Sequence, residues 1–278
     1  MAPTGAAEGT WLDDPRLAAA GVTVHLHFDS NKARKLKYNL IEAREAGHTT
    51  LLTFGGAWSN HIRATAEAGA REGFATIGVI RGEEHLPLNP VLAAARAHGM
   101  RLTYLDRATY RRKHQPEVIA SLRRRWGGFH LLPEGGSNAA AARGCAELPE
   151  SIAVPFDVLV CAVGTGGTLA GAAAGLRPGQ RAIGFTVLKG AEYLHSVVTA
   201  LQRSAFGAPT GNWCLDHGYH FGGYAKRTPD LDAFVAEFRA RHGVTLDWVY
   251  EAKMMAGLYA RIEQGVFPRG TRIVALIA

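Results

Sequence analysis

The chain has 278 residues, 47% hydrophobic and 20% charged, with a formal net charge of +7. This is ordinary globular composition, long enough for one large domain or two lobes; it excludes a disordered or fibrous chain, and no apolar run approaches a bilayer span. The basic runs are short, "RKLK" at 34–37, "RRK" at 111–113 and "RRR" at 123–125. They come without zinc-finger spacing or interleaved aromatics, so solvated helix faces or an anionic small molecule are expected rather than nucleic acid.

Three scattered cysteines, Cys145, Cys161 and Cys214, give neither a disulfide framework nor a metal site. The opening "MAPTGAAEGTW" lacks a basic segment followed by an apolar one. It reads as a loose tail on a cytoplasmic protein.

In chain order, "VTVHLHF" (22–28) alternates Val22, Val24, Leu26 and Phe28 on one face, as a half-buried strand does. A helix is expected from about Ser30 to Ala46, ended by Gly47. Its first turns hold Lys32, Arg34, Lys35 and Lys37, at the end of the helix dipole that disfavours cations. The apolar strand "TLLTF" (50–54), the turn Gly55–Gly56 and a helix opening at Ser59–Asn60 follow.

Further short strands are "FATIGVI" (74–80), "RLTYL" (101–105), "FHLL" (129–132), "FDVLVCAV" (156–163), "AIGFTVL" (182–188) and "RIVALIA" (272–278). Helical patterns at 90–99, 138–148, 168–176 and 230–243 lie between them. Continuous apolar strands alternating with helices predict an α/β fold of mostly parallel sheet covered on both faces.

Ligands of such sheets bind where strands run into helices. "VGTGGTLAG" (163–171) leaves a strand with Gly164, Gly166 and Gly167, flanked by Thr165 and Thr168. Glycines there admit a ligand close to the backbone, and the next helix offers free N–H groups, which makes a phosphate cradle. A tight turn with no ligand is the plain alternative. A dinucleotide site fits poorly, because the next strand ends in "VLKG" without the acidic residue that would hold a ribose. A nucleotide-dependent enzyme therefore stays a weak reading.

"FGGAWSNHIRATA" (54–66) and "LPEGGSNAAA" (132–140) repeat the pattern of strand, double glycine and capped helix start. Ser59 or Ser137 could simply cap a helix, yet three such starts on one sheet suit phosphate and carboxylate groups. In "DWVYEAKMMAGL" (247–258) a strand is expected to end at Tyr250–Glu251. Taken alone, Tyr250 suits a core position and Glu251 a first helical turn.

Together, "NKARKLKYN", "TFGGAWSNHIRATA", "PEGGSNAAAARGCAEL", "VGTGGTLAG", "GFTVLKG" and "VYEAKMMAGL" resemble one family over nearly the whole chain. It is the pyridoxal-phosphate enzymes of the D-cysteine desulfhydrase and 1-aminocyclopropane-1-carboxylate deaminase type, within the fold-type II, tryptophan-synthase-β-like group. The resemblance implies a two-lobed protein, with a large cofactor-binding lobe from 1–34 and 135–278 and a small lobe from 35–134 inserted in it.

It also implies roles. Lys32, after Asn31, would form the Schiff base with pyridoxal phosphate, and its cationic neighbours would favour the uncharged amine that this bond needs. Gly164, Thr165, Gly166, Gly167 and Thr168 would hold the phosphate. Asn60 would bond the phenolic oxygen, and Ser59 would meet the substrate carboxylate or move a proton. Tyr250, with Tyr224 of "FGGYAK", would line the pocket. Glu251 would face the pyridine nitrogen and strengthen the electron sink. His61 resembles the desulfhydrase side and Glu251 the deaminase side, while the bulky Trp58 would narrow the substrate pocket.

The reaction implied is imine formation with a small amino acid, α-proton removal and β-elimination. From D-cysteine the products would be pyruvate, ammonia and hydrogen sulfide. The family implies a homodimer. The segment before Asn31 is shorter than the family's and the chain stops at "RIVALIA". That keeps open a second expectation, a pseudoenzyme of the same fold binding an anionic metabolite or partner.

Overall fold

The computed structural model describes residues 9–29 and 31–277. It divides into two compact units, residues 1–31 with 145–278 and residues 32–144. The divisions fall at Asn31/Lys32 and Gly144/Cys145, where the resemblance had implied 34/35 and 134/135. The expected helix start at Ser30 lies outside the described residues.

The strands are β1 Gly9–Trp11, β2 Thr23–Phe28, β3 Thr50–Gly55, β4 Ala75–Arg81, β5 Arg101–Leu105, β6 His130–Leu132, β7 Val158–Val163, β8 Arg181–Thr186, β9 Trp213–Asp216 and β10 Arg272–Ile277. The α-helices are α1 Pro15–Ala20, α2 Asn31–Glu45, α3 Asn60–Glu72, α4 Pro90–Ala97, α5 Arg107–Arg111, α6 Pro116–Trp126, α7 Ala139–Ala146, α8 Gly167–Ala174, α9 Leu194–Phe206, α10 Pro229–His242 and α11 Glu251–Glu263. Among the described residues no helix is long and apolar enough to cross a membrane.

The first unit is built on a sheet of order β1-β2-β10-β7-β8-β9, parallel except for β1. Strands β2, β7, β8 and β10 are buried along most of their length because both faces are covered. On one face Val24, Leu26, Val158, Val160, Ile183, Phe185, Ile273 and Ala275 pack with α1, α10 and α11. On the other, Leu159, Cys161, Val163, Ala182, Val274 and Leu276 pack with α8 and α9.

Strand β2 corrects the half-buried expectation. Val24 through His27 are all buried, since β1 and β10 flank the strand and its second face is covered too. The tail is corrected as well, because Gly9–Trp11 pair antiparallel with His25–His27.

The second unit carries a parallel sheet of order β5-β4-β3-β6. Leu52, Phe54, Ile77 and Val79 face Tyr110, Leu122 and Phe129. Leu51 and Leu132 face Leu36, Leu40 and Ala43 of α2. The three glycine-rich loops leave the carboxyl ends of β3, the edge strand β6 and the central strand β7.

Candidate active site

In the first unit the buried strand β7 ends in Gly164–Thr165–Gly166, and α8 begins at Gly167. Gly166 is the cap residue at φ 81°, a left-handed conformation that costs any other residue energy, and no side chain caps the helix. The opening N–H groups of α8 are thus left for a ligand. A Cβ on Gly164 would come within 3.2 Å of the Tyr250 ring, and one on Gly166 within 2.9 Å of Val198. Thr168 is buried in the first turn of α8. Uncapped helix start, glycines and hydroxyl together fit a phosphate group.

Beside this loop, the Tyr250 hydroxyl donates to that of Tyr224 at 3.5 Å, and the rings meet edge to face with centroids 6.0 Å apart. The expected strand before Tyr250 is absent. Trp248, Val249 and Tyr250 suit a strand by propensity, but Asp247 turns them. Its Oδ1 accepts from the Val249 and Tyr250 N–H groups at 2.8 and 2.9 Å. Glu251 Oε2 in return accepts from the Asp247 N–H at 2.9 Å, a reciprocal cap that starts α11. The carboxylate assigned to the cofactor ring is therefore tied to this cap.

One residue of this unit escaped the sequence reading. Lys253 is fully buried in α11 and donates to the carbonyls of His220 and Gly223 at 2.9 and 2.6 Å. Burial pushes its amine below the usual lysine range, against Asp247, whose charge acts the other way. The signal available in the sequence was a lone cation among Ala252, Met254 and Met255.

In the second unit the four cations of α2 separate. Lys37 is exposed, Lys32 and Arg34 are half-buried, and Lys35 is buried. Lys35 Nζ donates to the Gly135 carbonyl at 3.0 Å and to Ser137 Oγ at 3.3 Å, tying α2 to the third glycine-rich loop. Asn39 and Asn138 add a reciprocal amide pair. Asn138, not Ser137, caps α7, accepting from the Ala141 N–H at 2.9 Å.

Ser59 stands at the cap of α3 yet makes no capping bond, so its hydroxyl is not spent on the helix. Ser59 and Asn60 are half-buried, and Trp58 is 52% exposed. His61, grouped in the sequence with the substrate contacts, lies inward. It is buried, with Nε2 2.8 Å from Thr53 Oγ1, and its Nδ1 has no hydrogen-bond partner among the described residues. Burial, then the charges of Lys35 and Lys32, push the imidazole down to about 3, so the ring is neutral. Among the described residues no cluster of His, Cys, Asp or Glu is arranged to hold a metal.

One sheet thus leads into a glycine-rich helix start with no side-chain cap, and a lysine-bearing helix packs on the other. The family model described as "Pyridoxal-phosphate dependent enzyme" matches residues 24–278, and the chain belongs to that family. Its cofactor is pyridoxal phosphate, and its fold is that of the fold-type II members.

The particular relatives narrow the branch. D-cysteine desulfhydrase of Yersinia pestis (strain Pestoides F) is 31% identical over 260 residues, covering 85% of this chain and 78% of the relative. The crystal structure of an ACC deaminase homologue matches with a TM-score of 0.85 at 26% identity, over 99% of this chain and 89% of the other. A hydrogen sulfide-producing enzyme from Fusobacterium nucleatum, at 15% identity and a TM-score of 0.69 over 99% and 95% of the two chains, shares the fold. The chain is thus of the ACC deaminase and D-cysteine desulfhydrase type that its motifs resemble.

Proposed function

We propose that the protein is a pyridoxal-phosphate-dependent lyase or deaminase that removes a β-leaving group from a small amino acid, in the manner of D-cysteine desulfhydrase. The observation that carries this reading is the uncapped start of α8 at Gly164–Thr168, packed beside the Tyr224–Tyr250 pair.

When bound, the cofactor supplies an electron sink for the charge left when the α-proton departs. Lys32 would hold it through Nζ, and the same amine would be the base that takes the α-proton. Gly164, Thr165, Gly166, Gly167 and Thr168 would hold its phosphate. Asn60 would bond the phenolic oxygen, and the Ser59 hydroxyl, not spent on capping α3, would meet the substrate carboxylate. Glu251, one oxygen of which accepts the Asp247 N–H, would be the carboxylate offered to the cofactor's ring nitrogen. His61, neutral and bound to Thr53, orients this loop rather than donating a proton. Trp58 limits the size of the substrate, and Tyr224 and Tyr250 pass a proton to the leaving atom. With D-cysteine and water, the products are pyruvate, ammonia and hydrogen sulfide.

The test is spectroscopic first. The purified protein with added cofactor should show a yellow band that borohydride abolishes, leaving the cofactor on a peptide containing Lys32. A panel of D- and L-amino acids, followed for 2-oxo acid, ammonia and sulfide, then names the substrate. No band, or turnover equal to that of Lys32→Ala, would refute the reading and favour a non-catalytic relative. The reading carries with it a cytoplasmic homodimer, which light scattering and cell fractionation examine.

A further inference from the structure

The segment between β9 and α10 runs back along one face of α11. That face consists of Tyr250, Lys253, Gly257, Arg261 and Gln264, spaced three or four apart so that they stack along the helix. Each meets the segment, and Arg261 also meets the last residue of β9. Arg261 Nε donates to Asp216 Oδ2 at 2.6 Å, and its guanidinium lies over the Tyr219 ring at 5.2 Å. Gln264 donates to the Tyr219 hydroxyl at 3.3 Å. Gly257 leaves room for Tyr219, since a Cβ there would come within 2.8 Å of that ring. Lys253 Nζ then takes the His220 and Gly223 carbonyls, and Tyr250 meets Tyr224.

The turn that carries Tyr224 is not one the backbone adopts cheaply. Phe221, Gly222, Gly223 and Ala225 have φ of 49°, 88°, 114° and 52°. Two of the four bear side chains, for which the left-handed region is uncommon and strained. The carbonyls of His220 and Gly223 each accept one bond within the turn, from the Gly223 and Lys226 N–H groups. Lys253 adds a second donor to each.

A methionine would fill the volume of Lys253 without burying an amine, as Met254 and Met255 do beside it. What the lysine adds is direction: donors aimed at two carbonyls three residues apart.

We infer that Lys253 is a positioning residue, clamping the His220 and Gly223 carbonyls so that the strained turn holds Tyr224 against Tyr250. Its consequence for turnover rests on the function proposed above; the clamp itself does not.

Hydrogen exchange on the full chain without cofactor, followed by mass spectrometry, tests the clamp. In the wild type, amides of 217–226 should exchange more slowly than in free chain. Lys253→Met should speed them about tenfold or more, while peptides from β7 and from residues 254–262 keep their protection. Free-chain exchange of 217–226 in the wild type, or unchanged exchange in a folded Lys253→Met, overturns the inference. If that variant loses protection throughout the unit, Lys253→Gln, which keeps one donor, decides. Loosening confined to 217–226 supports the clamp, and a second global loss or no change overturns it.

The second arm uses an amino acid that is turned over. Lys253→Met should lower kcat about tenfold with little change in KM, and Tyr224→Phe should cost about tenfold less in that background than in the wild type. Additive losses would mean that the lysine does not act through Tyr224. Absence of cofactor on Lys32 would refute the proposed function and leave the exchange result standing, so the two failures separate.

Discussion

His61 Nε2 lies 2.8 Å from the Thr53 hydroxyl, eight residues back on β3, and both groups are buried. The pair joins the end of a central strand to the start of α3, the helix whose cap is the uncommitted Ser59. With burial and the charges of Lys35 and Lys32 against protonation, the ring enters the folded state neutral.

The first prediction follows from that neutrality. The folded value of about 3 lies below the ordinary histidine value near 6.5, so the unfolded chain binds more protons between them. The His61 contribution is complete above about pH 6.5 and is lost as pH falls toward 3, at up to roughly 1.4 kcal/mol per pH unit. Urea unfolding between pH 7 and 4 should show this slope, and His61→Gln should flatten it. A His61 resonance titrating near pH 6.5 in the folded protein would sink the argument.

Asp14 sets the acid limit of the first unit. Its buried carboxylate caps α1 at the Arg16 N–H, 2.9 Å away, and takes the Arg16 guanidinium at 3.0 and 2.7 Å. Arg241 and His242 of α10 lie 3.6 and 3.5 Å away. Burial acts to raise its pKa, but the Arg16 bonds outweigh it and hold the carboxyl well below the usual range. Stability from this group is therefore present above about pH 4 and is lost as pH falls below it. Asp14→Asn should cost about 3 kcal/mol near neutrality and lower Tm by roughly 10 °C, measured by calorimetry. It should also lack much of the wild type's loss below pH 4.

The glycine-rich loop was legible in the sequence because it follows a continuous apolar run and needs only local features, glycines and a helix start. The cations of α2 were visible too, but not their separation, since Lys35 finds its partners 100 and 102 residues further on. "DWVY" misled because Trp, Val and Tyr favour strands, whereas the Asp247–Glu251 cap decided the matter. The place of β2 inside the sheet depends on pairing with β10, more than 240 residues further on (Arg272 against Thr23), which no local period announces. Lys253 meets carbonyls 30 and 33 residues away across the bent segment, a contact that only the tertiary fold creates.

Gly166 gives the third prediction. Alanine there meets both a left-handed φ of 81° and Val198 at 2.9 Å. Gly179, at φ 87° with nothing within 4 Å of its Cβ position, carries the backbone strain alone. Each substitution should cost about 1 kcal/mol or slightly more in stability. Only Gly166→Ala should weaken pyridoxal phosphate binding, by about tenfold or more, because it moves the start of α8. Fluorescence titration of both variants with the cofactor separates the effects; equal affinities would place the phosphate elsewhere.

The Tyr224–Tyr250 pair gives the last. With hydroxyls 3.5 Å apart and rings edge to face, the two phenols form one hydrogen-bonded unit beside Gly164. If they pass a proton to the leaving atom, Tyr224→Phe and Tyr250→Phe should each lower kcat by about a hundredfold or more. Each variant should keep its fold and its KM to within a few fold, because phenylalanine retains the ring packing. The double variant should lose little more than either single one, since groups acting as a unit are not additive. Steady-state rates on the amino acid that yields a 2-oxo acid measure this. Losses confined to KM would turn the pair into a binding surface, and independent multiplicative losses would separate the two hydroxyls into different steps.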